Sequence, residues 1–409
     1  DGEYKVMGMA PYGDPHKYDL SRLAKFEHGE LVIDTDYANV IGFRRYKEKG
    51  KGYYFSPKLI EWLGPMREGD IADDPYIHYA ASMQKLFEDI ALAMLDHYLG
   101  DILRETGRLA FAGGGALNVK LNQRIIARPD VRELFVQPAS GDSGTAVGAA
   151  SYVSVARGVP VEKMEHVYLG PAYSNEEVIA ACARHPSKPA WQQIDQVPQR
   201  IARLLADGQP VAWFQGRMEF GPRALGARSI LGDPRSPGMQ KLLNLKVKFR
   251  ESFRPFAPSV LREDVAEWFA LDGDSPYMSL VADVLDRHRI AVTDEQEAQF
   301  GIDRLNVPRS SIPAVTHVDG SARIQTVHRE THPRYHALIS RFKALTGCPV
   351  IVNTSFNVRG EPIVCTPEDA FRCFMGTDID ALAVGNCFLR KEDQDPALGR
   401  RYERTFEPD

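Results

Sequence analysis

The chain has 409 residues, 44% hydrophobic and 26% charged, with a formal net charge of −5 and a pI of about 6.2. This composition fits two globular domains and excludes a fibrous or disordered chain, and the acidic balance excludes a general nucleic-acid-binding surface. No apolar run nears the roughly 20 residues that span a bilayer, and the five cysteines (Cys182, Cys348, Cys365, Cys373, Cys387) form no CxxC pair, as expected of buried thiols in a cytoplasmic protein.

The sequence opens DGEYKVMGMAPYG, with no initiator Met and no signal-peptide pattern, which is the expectation for a fragment or a processed chain. Residues 1–70 mix turn signals around Pro11, Gly13 and Pro15 with short β-like runs. Over 79–99, Met83, Leu86, Phe87, Ile90, Ala91, Met94, Leu95 and Tyr98 recur at helical spacing, predicting an amphipathic helix with that face buried. A strand at Leu109–Ala112 enters GGGALN, with a helix from Val119. A second strand, Leu134–Gln137, enters PASGDSG and then the small-residue helix TAVGAASYVSVA. Strands alternating with helices through glycine turns predict an α/β domain with parallel pairing. The segment 158–177 lacks a period and marks a domain boundary. Beyond it a second α/β region has a helix near 197–207, a strand before residue 215 and strands at 323–327, 349–353 and 380–389. Thr366 caps a helix starting near Pro367.

The stretch AWFQGRMEFGPRALGARS (212–229) raises the functional question. Between Arg217 and Arg262 lie ten Lys or Arg and three acids, a local net of +7 that leaves −12 for the rest. A solvated stripe would interleave both signs. Glycines, prolines and the aromatics Phe249, Phe253 and Phe256 among the cations point instead to a walled anion pocket. In FAGGGALN the glycines suit either a phosphate at a helix N-terminus or a plain tight turn, and Asn118 either a ligand contact or a cap. Asp142 in SGDSGTAVG reads as an N-cap, with a metal or nucleotide contact as the alternative. VIVNTSFNVRGEP turns polar at Asn353, Thr354, Ser355, Asn357 and Arg359, more than a simple turn needs. HVDGSARIQTV adds His317, Arg323 and Gln325. His328, His332 and His336 stand four apart, but Pro333 interrupts them and no HExxH carboxylate accompanies them.

Together with MGMAPYG, these motifs resemble the ATP-dependent O-carbamoyltransferases of the nodulation-factor, tobramycin, cephamycin and novobiocin type. The resemblance runs from Lys5 to about Arg390, and GRMEFGPRALGARSIL is its most specific piece. It implies an α/β protein: a partial Kae1-like domain of the actin/hexokinase/Hsp70 superfold over residues 1–165, then a YrdC-like domain over 166–409. The YrdC-like part would form carbamoyl-adenylate from carbamoyl phosphate and ATP, releasing pyrophosphate. The Kae1-like part would pass the carbamoyl group to a hydroxyl of a sugar-containing or secondary-metabolite acceptor. The resemblance places Arg223, Lys248, Arg254, Arg323 and Ser355 on carbamoyl phosphate and the nucleotide phosphates, with Asn353, Asn357 and His317 as looser contacts. Gly113, Gly114 and Asn118 would line the adenylate, Asp142 would ligate iron(II), and Mg2+ would accompany ATP.

The family's two histidine iron ligands, an HxxxH upstream of MGMAPYG, have no counterpart in this sequence, so the first lobe of the Kae1-like domain is expected to lie outside it. Two other readings follow: an incomplete nucleotide-binding module that needs that lobe or a partner, and a tRNA threonylcarbamoylation-type enzyme. The net charge of −5 speaks against bulk tRNA contact. The expected partners are a small-molecule hydroxyl acceptor, no nucleic acid and no membrane, with a homodimer left open.

Overall fold

A computed structural model describes residues 2–37, 56–65, 67, 74–185 and 187–401. Residues 38–55 and a few others of the expected 1–70 stretch therefore lie outside the described residues. The strands are β1 Ala24–Glu27, β2 Glu30–Ile33, β3 Arg108–Phe111, β4 Glu133–Val136, β5 Gln192–Gln193, β6 Val211–Phe214, β7 Arg228–Gly232, β8 Ala257–Leu261, β9 Leu280–Asp283, β10 Ser321–Val327, β11 Val350–Ser355, β12 Ala381–Val384 and β13 Cys387–Arg390. Packing divides this mixed α/β chain into two compact units. The first is Asp1–Leu109, Arg124–Leu134 and Asp294–Leu305; the second is Ala110–Gln123, Phe135–Thr293 and Asn306–Asp409.

In the first unit the long helix Tyr76–Thr106 dominates. The helix forms as the periodicity predicts, but its buried side differs. Of the predicted face Leu95 is buried, but Met83 and Tyr98 are exposed, and Ala81, Gln84 and Glu88 are buried beside it. Polar groups can occupy that side because they are paired: Gln84 Nε2 donates to Glu88 at 2.7 Å, and Arg124 donates to the other Glu88 oxygen at 3.0 Å. MGMAPYG has a steric reason to end in glycine, since a Cβ on Gly13 would lie 2.2 Å from the Ile77 carbonyl oxygen.

The second unit is built on a nine-stranded sheet ordered β5-β13-β12-β6-β7-β11-β8-β10-β9. The β6/β12 and β8/β10 pairs are parallel, while β6/β7, β7/β11 and β8/β11 are antiparallel, so the sheet is mixed. The 380–389 segment, expected as one strand, is the antiparallel hairpin β12–β13. β6 and β7 are buried along their whole length, the mark of a strand covered on both faces. Helices Val197–Ala206 and Pro333–Thr346 pack on each other and over β6, β8 and β11. They bury Ile201, Leu205, Leu338 and Phe342, each contributing about 1.5–3 kcal/mol of transfer free energy. Thr366 caps helix Pro367–Met375 through a capping box with Asp369, as its sequence predicts.

Candidate functional site

The glycine–arginine motif forms the loop joining β6 to β7, and its shape is held from inside by one carboxylate. Oε1 of buried Glu219 accepts backbone N–H groups from Leu225 at 2.7 Å, Ala227 at 2.6 Å and Arg228 at 3.3 Å. Gly226 is required there: its φ is +101°, and a Cβ would lie 2.3 Å from the Tyr335 ring. Its carbonyl accepts Trp213 Nε1 at 2.7 Å and faces His332 Nε2 at 3.0 Å. Beneath the loop, Asn353 Nδ2 donates to Ala224 O, Ser259 Oγ and Gln325 Oε1, and Gln325 Nε2 donates to Leu225 O at 2.8 Å. Tyr335 donates to Ser259 Oγ at 2.9 Å. Buried Asn353 thus pins the backbone that carries Arg223.

The cations of the 217–262 stretch do not form one pocket, which corrects the expectation drawn from their count. Arg228 is fully buried and donates to the carbonyls of Gln215, Gly216, Ala227 and Pro171 while lying 3.5 Å from the Phe214 ring centroid. Burial pulls its pKa down to about 10. Arg235 closes on Asp233 at 2.7 Å, and Arg262 on Asp274. Arg254 is paired with Glu251 at 2.9 Å, so an acid sits where an all-cation clamp is expected.

What remains is a smaller cluster at one end of β10 and β11. Lys248 is buried and forms no ion pair among the described residues. Its ammonium donates to Ser355 O, to Ser355 Oγ at 3.1 Å, to Asn357 O at 2.9 Å and to Asn357 Oδ1 at 2.8 Å. Ser355 Oγ donates in turn to Asn357 Oδ1 at 2.7 Å. Arg223 and Arg323 are half-buried and have no hydrogen bond or ion pair among the described residues. Burial holds all three cations below their usual pKa, and Arg223 and Arg250 push Arg323 further down. Such groups gain most from an anion that stabilises their charge.

Arg250, not singled out in the sequence, belongs to this cluster. Its Nε donates to Asn244 Oδ1 at 2.8 Å and its guanidinium lies 5.0 Å from the Phe256 ring centroid. Between Lys248 and Arg250, Phe249 adopts φ +49°. A Phe in that region carries no sequence signal, because large side chains rarely adopt it. Ser259 and Tyr335 are likewise silent in sequence, their roles set by distant partners.

The other candidates are placed as follows. His317 is held by Ser321, Nδ1 lying 3.1 Å from its Oγ, and burial drops its pKa to about 4. Next to it Asp319 pairs with Lys120 at 3.0 Å. Gly113 has φ +98° and donates to Ser140 O at 2.9 Å, and Gly114 opens a 3-10 turn. Asn118 Oδ1 accepts the Leu121 N–H at 3.0 Å, the cap among its two readings. Asp142 is exposed and makes no capping bond, so its N-cap reading fails. Nor does it join a metal centre: among the described residues no three His, Cys, Asp or Glu side chains group so as to hold an ion. His328, His332 and His336 turn to Asp274, Gly226 and Glu263 respectively. No helix among the described residues is long and apolar enough to cross a membrane.

Family models described as Carbamoyltransferase N-terminus and Carbamoyltransferase C-terminus match residues 1–151 and 202–391. An uncharacterised protein of Synechocystis sp. is 46% identical, covering 100% of this chain and 67% of that protein. Nodulation protein NolO of Bradyrhizobium diazoefficiens is 39% identical over 95% of this chain and 66% of its own length. Nodulation protein NolNO of Sinorhizobium fredii is 36% identical over 99% and 55%. The chain therefore spans between about half and two thirds of these relatives. A structure of full-length HypF matches 50% of the chain and 22% of its own at 15% identity, with a TM-score of 0.29, a likeness too low to carry an assignment. Two matched family models and relatives aligned over nearly its whole length show that the chain belongs to the carbamoyltransferase family.

Proposed function

We propose that the protein is an ATP-dependent O-carbamoyltransferase whose Arg223–Lys248–Arg323 cluster forms carbamoyl-adenylate. Water cleaves carbamoyl phosphate to carbamate and phosphate, and a carbamate oxygen attacks the α-phosphorus of ATP, displacing pyrophosphate. An acceptor hydroxyl then attacks the carbamoyl carbon, and AMP leaves. The observation that carries this reading is the pair of guanidiniums, Arg223 and Arg323, left without hydrogen-bond or ion-pair partners among the described residues, in one cluster with a buried ammonium. Arg223 and Arg323 hold phosphoryl oxygens through planar forks, while Lys248, oriented by Ser355 and Asn357, supplies a point charge as the transferring group gains negative charge. Arg254 acts from beside Glu251, and Mg2+ accompanies ATP.

On this reading residues 166–409 are the YrdC-like, adenylate-forming domain and 1–165 the Kae1-like transfer domain, where Gly113, Gly114 and Asn118 meet the adenylate. This division follows motifs, whereas the compact units cut the chain elsewhere. The names of NolO and NolNO, both nodulation proteins, support an acceptor of the nodulation-factor kind; that the acceptor is sugar-containing, that the reaction is cytoplasmic and that no nucleic acid takes part are what the family resemblance implies. Iron(II) at Asp142 does not fit the described residues: one exposed carboxylate without a companion ligand does not make an iron site, and no step is routed through it. Purified protein should release pyrophosphate from ATP only when carbamoyl phosphate is present. Pyrophosphate release at equal rates with and without it would overturn the reading.

A further inference from the structure

We infer that Gln325 is a positioning residue: the buried hydrogen-bonded chain that reaches it from Tyr335 sets the spacing of Arg223 and Arg323. This inference rests on the reading of those two arginines as the anion clamp, and concerns how that clamp is held.

Four side chains make the network, and Tyr335, Ser259, Gln325 and Asn353 are all buried. Tyr335 donates its O–H to Ser259 Oγ at 2.9 Å, and Ser259 donates its own to Gln325 Oε1 at 2.6 Å. Asn353 Nδ2 donates to the same Gln325 oxygen at 2.8 Å. Two donors on one oxygen decide which way the Gln325 amide points, so Nε2 is the atom that meets Leu225 O, at 2.8 Å. The bonds therefore run in one direction, from the helix Pro333–Thr346 through the sheet to the glycine–arginine loop, and each strengthens the next.

The network stands one or two residues from each of the three cations. Arg223 precedes Ala224 and Leu225, whose carbonyls accept from Asn353 and Gln325. Arg323 lies two residues before Gln325 on β10, so the two side chains share a face of the sheet. Ser355, whose Oγ accepts from Lys248 at 3.1 Å, lies two residues after Asn353 on β11. Register brings these strands together, with Gln325 paired to Ser259 and Asn353 to Ala257. Neither Arg223 nor Arg323 has a hydrogen bond or ion pair among the described residues, so each guanidinium takes its place from its backbone. Gln325 joins those two backbones directly: its main chain belongs to the strand that carries Arg323, and its amide holds the loop that carries Arg223. Two planar forks grip one anion only at a fixed separation, and a misplacement of about 1 Å can cost on the order of 100-fold.

The test is a double-mutant cycle in the full chain, pairing Gln325→Met with Arg223→Lys. Methionine keeps the length of the side chain and removes every one of its hydrogen bonds. Two quantities are read: kcat/KM for carbamoyl-phosphate-dependent pyrophosphate release, and calorimetric affinity for inorganic pyrophosphate, which needs no turnover. Gln325→Met should lower both about 10- to 100-fold in the parent but less than about threefold in Arg223→Lys, because a fork already lost cannot be misplaced. Tyr335→Phe, which keeps the ring beside Gly226 and deletes only the first donor, should show the same pattern on a smaller scale, and decides the matter if Gln325→Met does not fold. Equal losses in the two backgrounds, the signature of a general weakening of the fold, would overturn the inference, as would a Gln325→Met that folds and loses nothing. A parent that binds pyrophosphate but never releases it from ATP would sink the proposed reaction alone, and the affinity cycle would still judge Gln325. A parent that neither releases nor binds it would overturn both.

Discussion

Replacing Arg223 with lysine keeps the charge and removes the planar fork. The Arg223 side chain has no hydrogen bond or ion pair to lose among the described residues, and its backbone is fixed by bonds from Asn353 to Ala224 O at 3.2 Å and from Gln325 to Leu225 O at 2.8 Å. The change is therefore confined to the ligand side. Loss of a charge-assisted, two-pronged contact at a desolvated site costs about 2–4 kcal/mol, or roughly 30- to 1,000-fold in carbamoyl-phosphate-dependent pyrophosphate release. Stability should stay within about 0.5 kcal/mol of the parent, as for substitutions away from packed features. Arg223→Ala should slightly raise the melting temperature, since Arg223 and Arg323 repel each other. Arg254→Ala should behave differently. It strips Glu251, whose side chain is 26% exposed, of its 2.9 Å partner and leaves Arg359 at 3.9 Å, so about 1–3 kcal/mol of stability should be lost with the activity. Full activity in Arg223→Lys, or equal melting-temperature losses in Arg223→Ala and Arg254→Ala, would refute the reasoning.

Glu219→Gln keeps one acceptor but buries an amide NH2 among three backbone donors, so about 1–3 kcal/mol should go, seen as a melting temperature lower by several degrees; an unchanged value would mean the carboxylate does not hold the loop. Gly226→Ala combines a disfavoured φ with a 2.3 Å approach to Tyr335 and should cost about 2–4 kcal/mol in denaturant unfolding, a prediction that fails if the midpoint does not move. Burial holds the Lys248 pKa well below its usual value, with Arg250 adding to the effect, and a bound anion should raise it again. Between the free and bound pKa, binding of carbamoyl phosphate then takes up protons and weakens as pH rises. Calorimetry in buffers of different ionisation enthalpy reads that uptake directly, and heats independent of buffer at mildly alkaline pH would contradict it.

Where a feature depends on neighbours close in sequence, the sequence already shows it. The small-residue helix forms over Thr145–Ala156, and Thr366 with Asp369 announces its capping box. The long helix shows the limit of periodicity: the apolar stripe predicts a helix but not its buried side, because Arg124, far along the chain, decides that Glu88 can be buried.

The basic loop shows the same limit at the site itself. Arg223 and Arg228 stand five residues apart in one glycine-rich segment, and nothing local separates them. A guanidinium is stable inside a protein only where acceptors meet most of its donors. Arg228 meets that condition through the carbonyls of Pro171 and of the loop residues Gln215, Gly216 and Ala227 and becomes structural. Among the described residues Arg223 and Arg323 do not meet it, and they stay half-buried and electrostatically disfavoured. Counting positive charges in the sequence weighs these arginines alike. The difference lies in whether the fold returns a partner to each one, which is why the proposed anion site rests on the cations left unmatched.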